Sequence, residues 1–317
     1  MNACAELEQL ILPGRLFSYC NAGFVVLGRL VEVLRGRPFH IVLKERLCDP
    51  LALAHTVTLP EEEIMFRVAI GHMVQPPDRT PVRAAKWAMP WCQTPAGSTA
   101  CSTVADMLRF ARAVMNGDGK VISEASASAM LKPQQSIPGA VPGLQTSMGL
   151  GWALSEWHGI REAGHTGSTL GQAAALSIIA ERRLAIAVLT NSLTGIALLK
   201  PLLDDIRSVL GLARTPNPSI PNPQPDMDLN PCTGIFSRRG QLIEVEARSG
   251  RLVITTKATG QMQSLAPELP SVTVFPVDEQ TFVGPGYGLG MPMTVYFAER
   301  DQNGAFRYIL LGRAAQQ

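Results

Sequence analysis

One proline-rich segment constrains the fold of this 317-residue chain more than any other feature. Residues 215–231 contain six prolines: Pro216, Pro218, Pro221, Pro223, Pro225 and Pro231. Proline fixes its own φ angle and has no backbone N–H to donate, so a stretch this rich in it forms a semi-rigid spacer. We therefore predict two domains, residues 1–214 and residues 232–317, joined by residues 215–231 as a linker.

Helical patterns dominate the first part of the N-terminal domain. Residues 21–35 predict a buried helix, because their apolar side chains cover more than one face. Ser102 or Thr103 is predicted to cap a helix through Met115, with Asp106 spaced to reach back to that cap. Further helices are predicted over residues 39–47, 123–132 and 196–210, and residues 59–91 are predicted to be irregular.

Strand-like patterns replace the helical ones after Pro142. In the N-terminal domain they cover residues 150–155, 160–165, 173–180 and 184–190, and beyond the linker they cover residues 242–247, 252–257, 272–275, 294–298 and 306–311. Ser249-Gly250 and Asn303-Gly304 are predicted hairpin turns. We predict an antiparallel sheet flanked by helices, followed by a small all-β barrel or sandwich.

The overall composition argues against nucleic acid, membranes and metals as partners. Lys and Arg total 28 and Asp and Glu total 26, so the net charge is +2 and there is no strong electrostatic field. No run of about 18 apolar residues occurs, so we expect no membrane span. The six cysteines are scattered, without metal-ligand spacing, so we expect no metal site and no cofactor. Buried free thiols are favoured, and disulfides stay open.

The first residues do not resemble a secretory leader. Residues 1–12 carry Glu6 and Glu8, begin without a basic cluster and have no long apolar core. The default expectation is therefore a cytoplasmic protein, although truncation of the N-terminus would have removed any leader that preceded it.

Two short motifs far apart in the sequence carry the functional signal: Tyr19-Cys20-Asn21 and His165-Thr166-Gly167. Each alone has a purely structural interpretation, with Tyr19 packed at a helix start, Asn21 as a helix cap and residues 165–167 as a strand-ending turn. Other short features accompany them in order: Gly36-Arg37-Pro38-Phe39, Asp49-Pro50-Leu51, Pro95-Ala96-Gly97, Gly149-Leu150-Gly151-Trp152 and Leu189-Thr190-Asn191. Their co-occurrence favours one active site.

This ordered set resembles the serine β-lactamase-like and penicillin-binding-protein-like hydrolases, which include class C β-lactamases, DD-carboxypeptidases, D-aminopeptidases and family VIII esterases. The resemblance implies an α/β (α+β) fold of the transpeptidase type, here lacking its N-terminal part, with a lipocalin-like C-terminal β domain. It also implies a small-molecule or peptide substrate with an amide or ester bond.

The resemblance assigns a role to each motif residue. Tyr19 would transfer a proton at the nucleophile or the leaving group, and Asn21 would hold a catalytic lysine and a substrate amide. His165 would bind a substrate carboxylate or assist proton transfer, and it favours D-amino-acid or DD-peptide substrates. Thr166 and Gly167 would line the substrate, and the backbone N–H of Ser168 would form half of an oxyanion hole.

The first signature of these hydrolases, Ser-x-x-Lys, does not occur in the sequence. Four serines lie near the motifs, Ser18, Ser98, Ser102 and Ser168, but none has a lysine one helical turn later to activate it. We therefore expect no nucleophile in this chain and no activity when it is alone. Two hypotheses stay open: an N-terminal fragment or second chain supplies the nucleophile, or the protein is a non-catalytic binding or scaffold homologue.

The remaining candidates have ordinary structural interpretations. Glu61-Glu62-Glu63 is predicted to be a solvated run, because adjacent residues do not converge on one face. His40, His55, His72 and His158 are predicted to be surface or satisfied core histidines. If the family topology holds without its N-terminal strands, residues 184–190 form an apolar sheet edge that is prone to pairing, and the helix over residues 196–210 loses a packing partner.

Overall fold

A computed structural model of the chain describes residues 7–75, 80–141, 143–264, 270–286 and 292–317. Contacts within the chain divide it into two compact units. We call residues 1–19, 135–146 and 216–317 the barrel unit, and residues 20–134 and 147–215 the sheet unit. The predicted domain boundaries stay a prediction.

The helices of the described chain belong to the sheet unit and occupy the positions expected from the sequence. They are α1 (Asn21–Arg35), α2 (Phe39–Leu43, continued by a π-helical turn over Lys44–Cys48), α3 (Val104–Asn116), α4 (Glu124–Met130) and α5 (Ile196–Val209). Short 3₁₀ turns cover Pro60–Met65 and Trp91–Ala96. None of the helices in the described ranges is long and apolar enough to cross a membrane.

Sixteen strands occur in the described residues. They are β1 (His72–Gln75), β2 (Thr80–Arg83), β3 (Gln135–Ser136), β4 (Ser147–Met148), β5 (Ala153–Trp157), β6 (Ile160–Ser168), β7 (Ala173–Ile179), β8 (Leu184–Thr190), β9 (Gly234–Arg238), β10 (Gln241–Ala247), β11 (Leu252–Ala258), β12 (Val272–Pro276), β13 (Thr281–Gly284), β14 (Met293–Arg300), β15 (Phe306–Leu310) and β16 (Ala314–Gln316).

Strands β4 to β8 form an antiparallel meander in the sheet unit. Alternate side chains of β7 explain how both faces are covered. Leu176 and Ile178 pack in a cluster with Ala111 of α3, whereas Ala175 packs in a cluster with Leu199 of α5. The sheet therefore lies between these two helices, and β8 is its outermost strand on one side among the described residues.

A buried charged network holds α5 to the sheet. The Arg207 guanidinium donates to Glu162 Oε2 at 2.6 Å and to Asp204 Oδ1 at 3.0 Å, and it lies 5.2 Å from the ring centroid of Trp157. Lys200 Nζ completes the network 2.6 Å from Asp204 Oδ2. Burial raises the pKa of Glu162 despite the opposing charge of Arg207. These charged groups are buried and hydrogen-bonded to one another, so removing one of them leaves another unpaired.

Helix α1 is not buried as the sequence predicts. Gly28 is its buried residue, whereas Leu27, Leu30 and Leu34 are 54%, 50% and 71% exposed. A Cβ on Gly28 would overlap the ring of Pro95, so close packing holds one face of the helix. The prediction of burial was wrong. Apolar residues on more than one face indicate that a helix needs packing partners, but they do not show which elements would cover those faces. The other face presents an apolar surface that the described residues do not cover.

Three local predictions for the sheet unit were also wrong. Thr103 caps α3 as expected. The Asp106 side chain does not reach back to this cap: it is fully buried, and its Oδ2 accepts from the His55 backbone N–H and the Thr56 hydroxyl. The region predicted to be irregular contains the hairpin β1–β2. Glu63 is not solvated: it is 9% exposed, and burial, with the Glu61 charge, raises its pKa to about 7.

The C-terminal strands close into an eight-stranded antiparallel barrel in the order β10-β11-β12-β13-β14-β15-β16-β9. Four fully buried phenylalanines fill its interior: Phe236, Phe282, Phe297 and Phe306. Ser249 and Gly250 both have positive φ angles, as a two-residue hairpin turn requires, so this predicted turn is confirmed. Five barrel strands were predicted, whereas β9, β13 and β16 were not, because they are short or begin at glycine.

Two other segments of the barrel unit pack on the barrel. The N-terminal segment is anchored where Tyr308 Oη donates to Leu10 O at 3.1 Å and where the Ala314 N–H donates to Ser18 Oγ at 3.1 Å. Gly139, in the segment that follows β3, lies against Tyr296 of β14. Gly139 has φ +66°, and a Cβ there would come within 2.9 Å of the Tyr296 ring.

The cysteines of the described residues are free thiols, as favoured, but not all of them are buried. Cys48 and Cys232 are buried, whereas Cys20 and Cys92 are exposed. Cys4 lies outside the described residues.

Candidate active site

The His165-Thr166-Gly167 motif lies inside strand β6 and is not a strand-ending turn. Residues 165–168 are exposed and pair with β7, where His165 lies opposite Leu176 and Ser168 opposite Ala173. On the other side, β5 pairs with β6 only as far as Gly164. The motif therefore extends beyond its pairing with β5, and no other described strand pairs with its backbone on that side. We call this edge the open edge of β6.

The hydrogen-bond pattern shows which backbone groups point toward the open edge. The Thr169 N–H donates to Gln172 O at 3.1 Å across the β6–β7 turn. Because bonded and non-bonded pairs alternate along an antiparallel ladder, odd-numbered residues of this stretch bond to β7. The even-numbered residues Thr166 and Ser168 therefore direct their backbone N–H groups toward the open edge.

The His165 side chain is exposed and contacts its own strand. Its Nδ1 lies 2.5 Å from Thr166 O. This contact holds the imidazole against the backbone of β6, at the residue where the open edge begins. Gly167 completes the motif without a side chain, and a Cβ at this position would have no atom within 4 Å. The surface beside residue 167 is therefore open enough to receive a ligand.

A turn and a hairpin brace the end of β6, and the sequence analysis did not anticipate them. The His72 N–H of β1 lies 2.8 Å from Gly171 O and 2.9 Å from Asn191 O. Asn191 Nδ2 donates to Ile70 O at 3.1 Å. Gly71 and Gly171 each lie so close to the other segment that a Cβ would overlap backbone atoms. In the sequence, the only signal for this contact is a pair of glycines that are 100 positions apart.

Asn21 is the first residue of α1 and does not cap it. Cys20 occupies the N-cap position and its side chain makes no capping hydrogen bond. The Asn21 Oδ1 atom is buried and accepts no hydrogen bond from the part of the chain that the structure describes. Leaving a buried acceptor unsatisfied costs about 1–3 kcal/mol. The described residues therefore provide no hydrogen-bond donor for this amide oxygen.

Tyr19 belongs to the barrel unit, whereas Asn21 and the His165 motif belong to the sheet unit. The Tyr19 N–H donates to Gly312 O at 3.1 Å. The Arg313 guanidinium lies 5.2 Å from the centroid of the Tyr19 ring. These contacts hold Tyr19 against the turn between β15 and β16.

The lysines and serines of the chain do not form a nucleophile pair in sequence. The residues three positions before the six lysines are Ile41, Arg83, Gly117, Ala129, Ala197 and Ile254. Lys200 Nζ forms an ion pair with Asp204. Ser102 Oγ is within hydrogen-bond distance of Thr56 Oγ1, at 2.8 Å. Ser18 Oγ accepts from the Ala314 N–H. Among the described residues, no three or more His, Cys, Asp or Glu side chains form a group that could hold a metal ion.

Comparison with known proteins identifies the class to which this fold and these motifs belong. A family model described as Beta-lactamase matches residues 1–210. The chain therefore belongs to the β-lactamase family. Penicillin-binding protein 4 of Amycolatopsis lactamdurans is 34% identical over 253 residues, which are 76% of this chain and 64% of that protein. This chain thus spans less than two thirds of the length of that relative.

Solved structures show the same fold over the whole chain. A crystal structure of SurE has a TM-score of 0.74 at 22% identity and covers 100% of this chain and 71% of its own. A structure of SurE with D-Leu has a TM-score of 0.68 at 21% identity, with 100% and 70% covered. The octameric penicillin-binding protein homologue from Pyrococcus abyssi has a TM-score of 0.58 at 19% identity, with 96% and 65% covered.

Proposed function

We propose that this chain forms the substrate-binding part of a serine hydrolase that cleaves amide or ester bonds of D-amino-acid compounds, and that it lacks the nucleophile. A serine and a lysine from an N-terminal fragment or a second chain would complete the site. Tyr19, Asn21 and His165 would be its catalytic residues in this chain, and Thr166, Gly167 and Ser168 would bind substrate.

The buried Asn21 Oδ1 is the observation that carries this proposal. A buried amide oxygen without a donor is rare in folded proteins, and such groups often await a ligand or partner. In hydrolases of this family, the equivalent asparagine is expected to hold the lysine of the Ser-x-x-Lys motif. An ammonium group from that lysine would satisfy the orphaned acceptor with a charge-assisted hydrogen bond.

The exposed surface of α1 provides independent support. Leu27, Leu30 and Leu34 present large apolar side chains to solvent on the helix that begins at Asn21. An apolar patch of this kind is typical of a surface that binds another polypeptide. The segment that supplies the lysine would therefore find both a hydrogen-bond acceptor for its ammonium group and an apolar surface on one helix.

The open edge of β6 supports the binding of an extended substrate. A substrate backbone beside Thr166 and Ser168 would continue the sheet in the manner of a β-strand. The supplied serine oxygen would bond to the substrate carbonyl carbon while its proton passes to a base, a role that the family resemblance assigns to Tyr19. The Ser168 N–H would stabilise the oxyanion, and the bond to the leaving group would then break as that group takes up the proton. A water molecule would then cleave the acyl-serine ester, which releases the acid and restores the serine hydroxyl.

The preference for D-amino-acid compounds is drawn from the motif and one structural neighbour. His165 stands where a lysine is common in the family, and its imidazole fits a substrate carboxylate. SurE, which shares the fold, has been crystallised with D-Leu. Esters and β-lactams are alternative substrates of the same chemistry.

Nuclear magnetic resonance of the chain with D-leucine amide tests the proposal. We expect the amide to shift the backbone resonances of Thr166 and Ser168, without formation of D-leucine or ammonia. Gly167→Val is the key variant, because the open space beside Gly167 accepts a side chain in the fold while blocking the ligand. Loss of the shifts in a variant of unchanged melting temperature supports the site. Shifts that persist in Gly167→Val would overturn it, and product formation would disprove inactivity.

The alternative function, a non-catalytic binding or scaffold homologue, has the same pocket and differs in one respect. It requires no lysine-bearing partner. The orphaned Asn21 Oδ1 would then accept from a ligand or a water molecule and not from a lysine. Binding of D-leucine amide that is unchanged in Asn21→Leu, with no protein partner that restores activity, would favour this alternative.

A further inference from the structure

We propose that Gln172 is a positioning residue for the open edge of β6, because its side chain joins the turn that follows Ser168 to residues 69–72. This inference rests on the proposed function, since the direction of the Ser168 N–H matters only if this group binds substrate. The residues involved all belong to the sheet unit. Gln172 would act on the substrate through Ser168 and not by touching it.

The turn between β6 and β7 is held together around Thr169, the residue that follows Ser168. The Thr169 N–H donates to Gln172 O at 3.1 Å, and the Gly171 N–H donates to Thr169 O at 2.8 Å. The Thr169 hydroxyl donates to Gln172 Oε1 at 3.3 Å. The first of these bonds fixes the peptide group between Ser168 and Thr169, so the turn determines the backbone direction at Ser168.

The other end of the Gln172 carboxamide contacts a distant part of the chain. Its Nε2 donates to Ala69 O at 3.1 Å, across 103 positions of sequence. A carboxamide can donate from its nitrogen while its oxygen accepts. This one partly buried side chain therefore links the backbone at Ala69 to the hydroxyl of Thr169.

Residues 69–72 are a suitable anchor because other contacts hold their backbone. Asn191 Nδ2 donates to Ile70 O at 3.1 Å, and Gly71 O accepts from the Ala84 N–H at 2.8 Å. These contacts fix the segment to the residue after β8 and to the residue after β2. An anchor held in this way can keep the turn in one arrangement, so that a ligand does not have to order it.

A backbone contact holds the same turn at a second point. The His72 N–H donates to Gly171 O at 2.8 Å. That bond does not reach Thr169, whereas Gln172 bonds to Thr169 through both its backbone and its side chain. The contribution of the Gln172 side chain is therefore separable from that of the backbone contact by substitution.

Titration of D-leucine amide into the protein, followed by nuclear magnetic resonance, measures this contribution. We expect Gln172→Leu to weaken binding about tenfold, the factor that one typical hydrogen bond is worth. The Ser168 N–H shift at saturation should shrink while the Thr166 N–H still shifts. Gln134→Leu is the matched control, because Gln134 Nε2 donates to the backbone oxygen of Ala129 at 3.3 Å and not to the turn. Binding of wild-type strength in Gln172→Leu would overturn the proposal.

Gln172→Glu tests the donated hydrogen bond through pH. A protonated carboxyl group can donate to Ala69 O and accept from the Thr169 hydroxyl, whereas an ionised one has no donor. Its affinity relative to the wild type should be restored below about pH 4 and should fall about tenfold as the carboxyl group ionises. The charges of His72 and His165 are common to both proteins and cancel in this ratio. A ratio that stays constant with pH would overturn the proposal.

Thr169→Val breaks the next link between Ala69 and Ser168. It should weaken binding as much as Gln172→Leu does, and the double variant should bind no more weakly than either single variant, because one broken link is enough. Losses that add in the double variant would overturn the link.

Gly167→Val separates the failure of this inference from that of the proposed function. A wild-type protein that does not bind D-leucine amide, or a Gly167→Val variant that binds it normally, would refute the site at β6 and the positioning role with it. If Gly167→Val loses binding while Gln172→Leu keeps it, only the positioning role is refuted.

Discussion

The guanidinium of Arg207 lies over the ring of Trp157, 5.2 Å from its centroid, while it donates to Glu162 and Asp204. Arg207 is only 3% exposed, and its Nε has no hydrogen-bond partner among the described residues. This one side chain thus joins α5 to the sheet that carries the His165 motif. A buried cation with two carboxylate partners contributes to structure mainly through what its loss would leave unpaired.

We expect Arg207→Ala to lower the free energy of unfolding by about 3–5 kcal/mol, because it leaves the buried carboxylates without their cation. Urea unfolding followed by circular dichroism measures this change. Arg161→Ala is the matched control: Arg161 pairs with Glu181 on the surface, with 73% of its side chain exposed, and its loss should cost less than about 1 kcal/mol. Equal losses in the two variants would refute the role of the buried network.

We expect opposite effects from two Gly→Ala substitutions in the same helix. A Cβ at Gly28 would overlap Pro95, whereas a Cβ at Gly23 would have no atom within 4 Å. Gly28→Ala should therefore destabilise the protein by about 1–3 kcal/mol through overpacking, and Gly23→Ala should stabilise it by about 0.5–1 kcal/mol. Thermal unfolding compares them. A stable Gly28→Ala protein would show that α1 does not pack on Pro95.

The stability of the protein should depend on pH through Glu63. Its pKa is raised to about 7 in the folded state from an ordinary value of 4.5. A carboxyl group with a raised folded pKa stabilises the fold below the unfolded pKa, and this contribution is lost as the pH rises through the folded pKa. Glu63→Gln keeps the shape without the charge. Its stability relative to the wild type should rise between pH 4.5 and pH 7 and then level off.

Denaturant titrations of both proteins at several pH values check this expectation. Glu61→Gln is a suitable control, because its neighbouring charge raises the pKa of Glu63 only as a secondary cause after burial. It should leave most of the pH dependence in place. A difference between wild type and Glu63→Gln that is constant from pH 4.5 to pH 8 would contradict the burial of this carboxyl group.

The apolar surface of α1 should govern self-association. Replacing Leu30 and Leu34, which are 50% and 71% exposed, by glutamate removes apolar surface without opening a cavity. We expect the free energy of unfolding to change by less than about 0.5 kcal/mol, while the sedimentation coefficient loses its concentration dependence. A large loss of stability would show instead that the chain itself covers this surface.

Much of the fold followed from local patterns. The period-two runs of β5 to β8 and the helical runs of α1, α3 and α5 predicted these elements, because each buries one face against another element of the same unit. The packing of α1 did not follow, since its apolar residues specify a partner that sequence periodicity does not identify. The glycine contact between Gly71 and Gly171 was also missed, because close approach of two backbones leaves no hydrophobic pattern.

The residues of the candidate site stay a prediction, and their local geometry did not follow from the sequence. The motifs around Asn21 and His165 indicated the family, but the open edge of β6 depends on where β5 begins, at Ala153 opposite Gly164. The Tyr19 environment depends on the β15–β16 turn, which lies almost 300 residues later in the chain. Such long-range relations come from the tertiary fold.

The intact mass of the chain after reaction with a fluorophosphonate or a fluorescent penicillin tests the central claim most directly. Our account holds that the chain has a hydrolase pocket without its own nucleophile, so we predict an unchanged mass after prolonged reaction of the chain alone. A stoichiometric adduct on any of its serines, formed by the native but not by the heat-unfolded protein, would contradict the account.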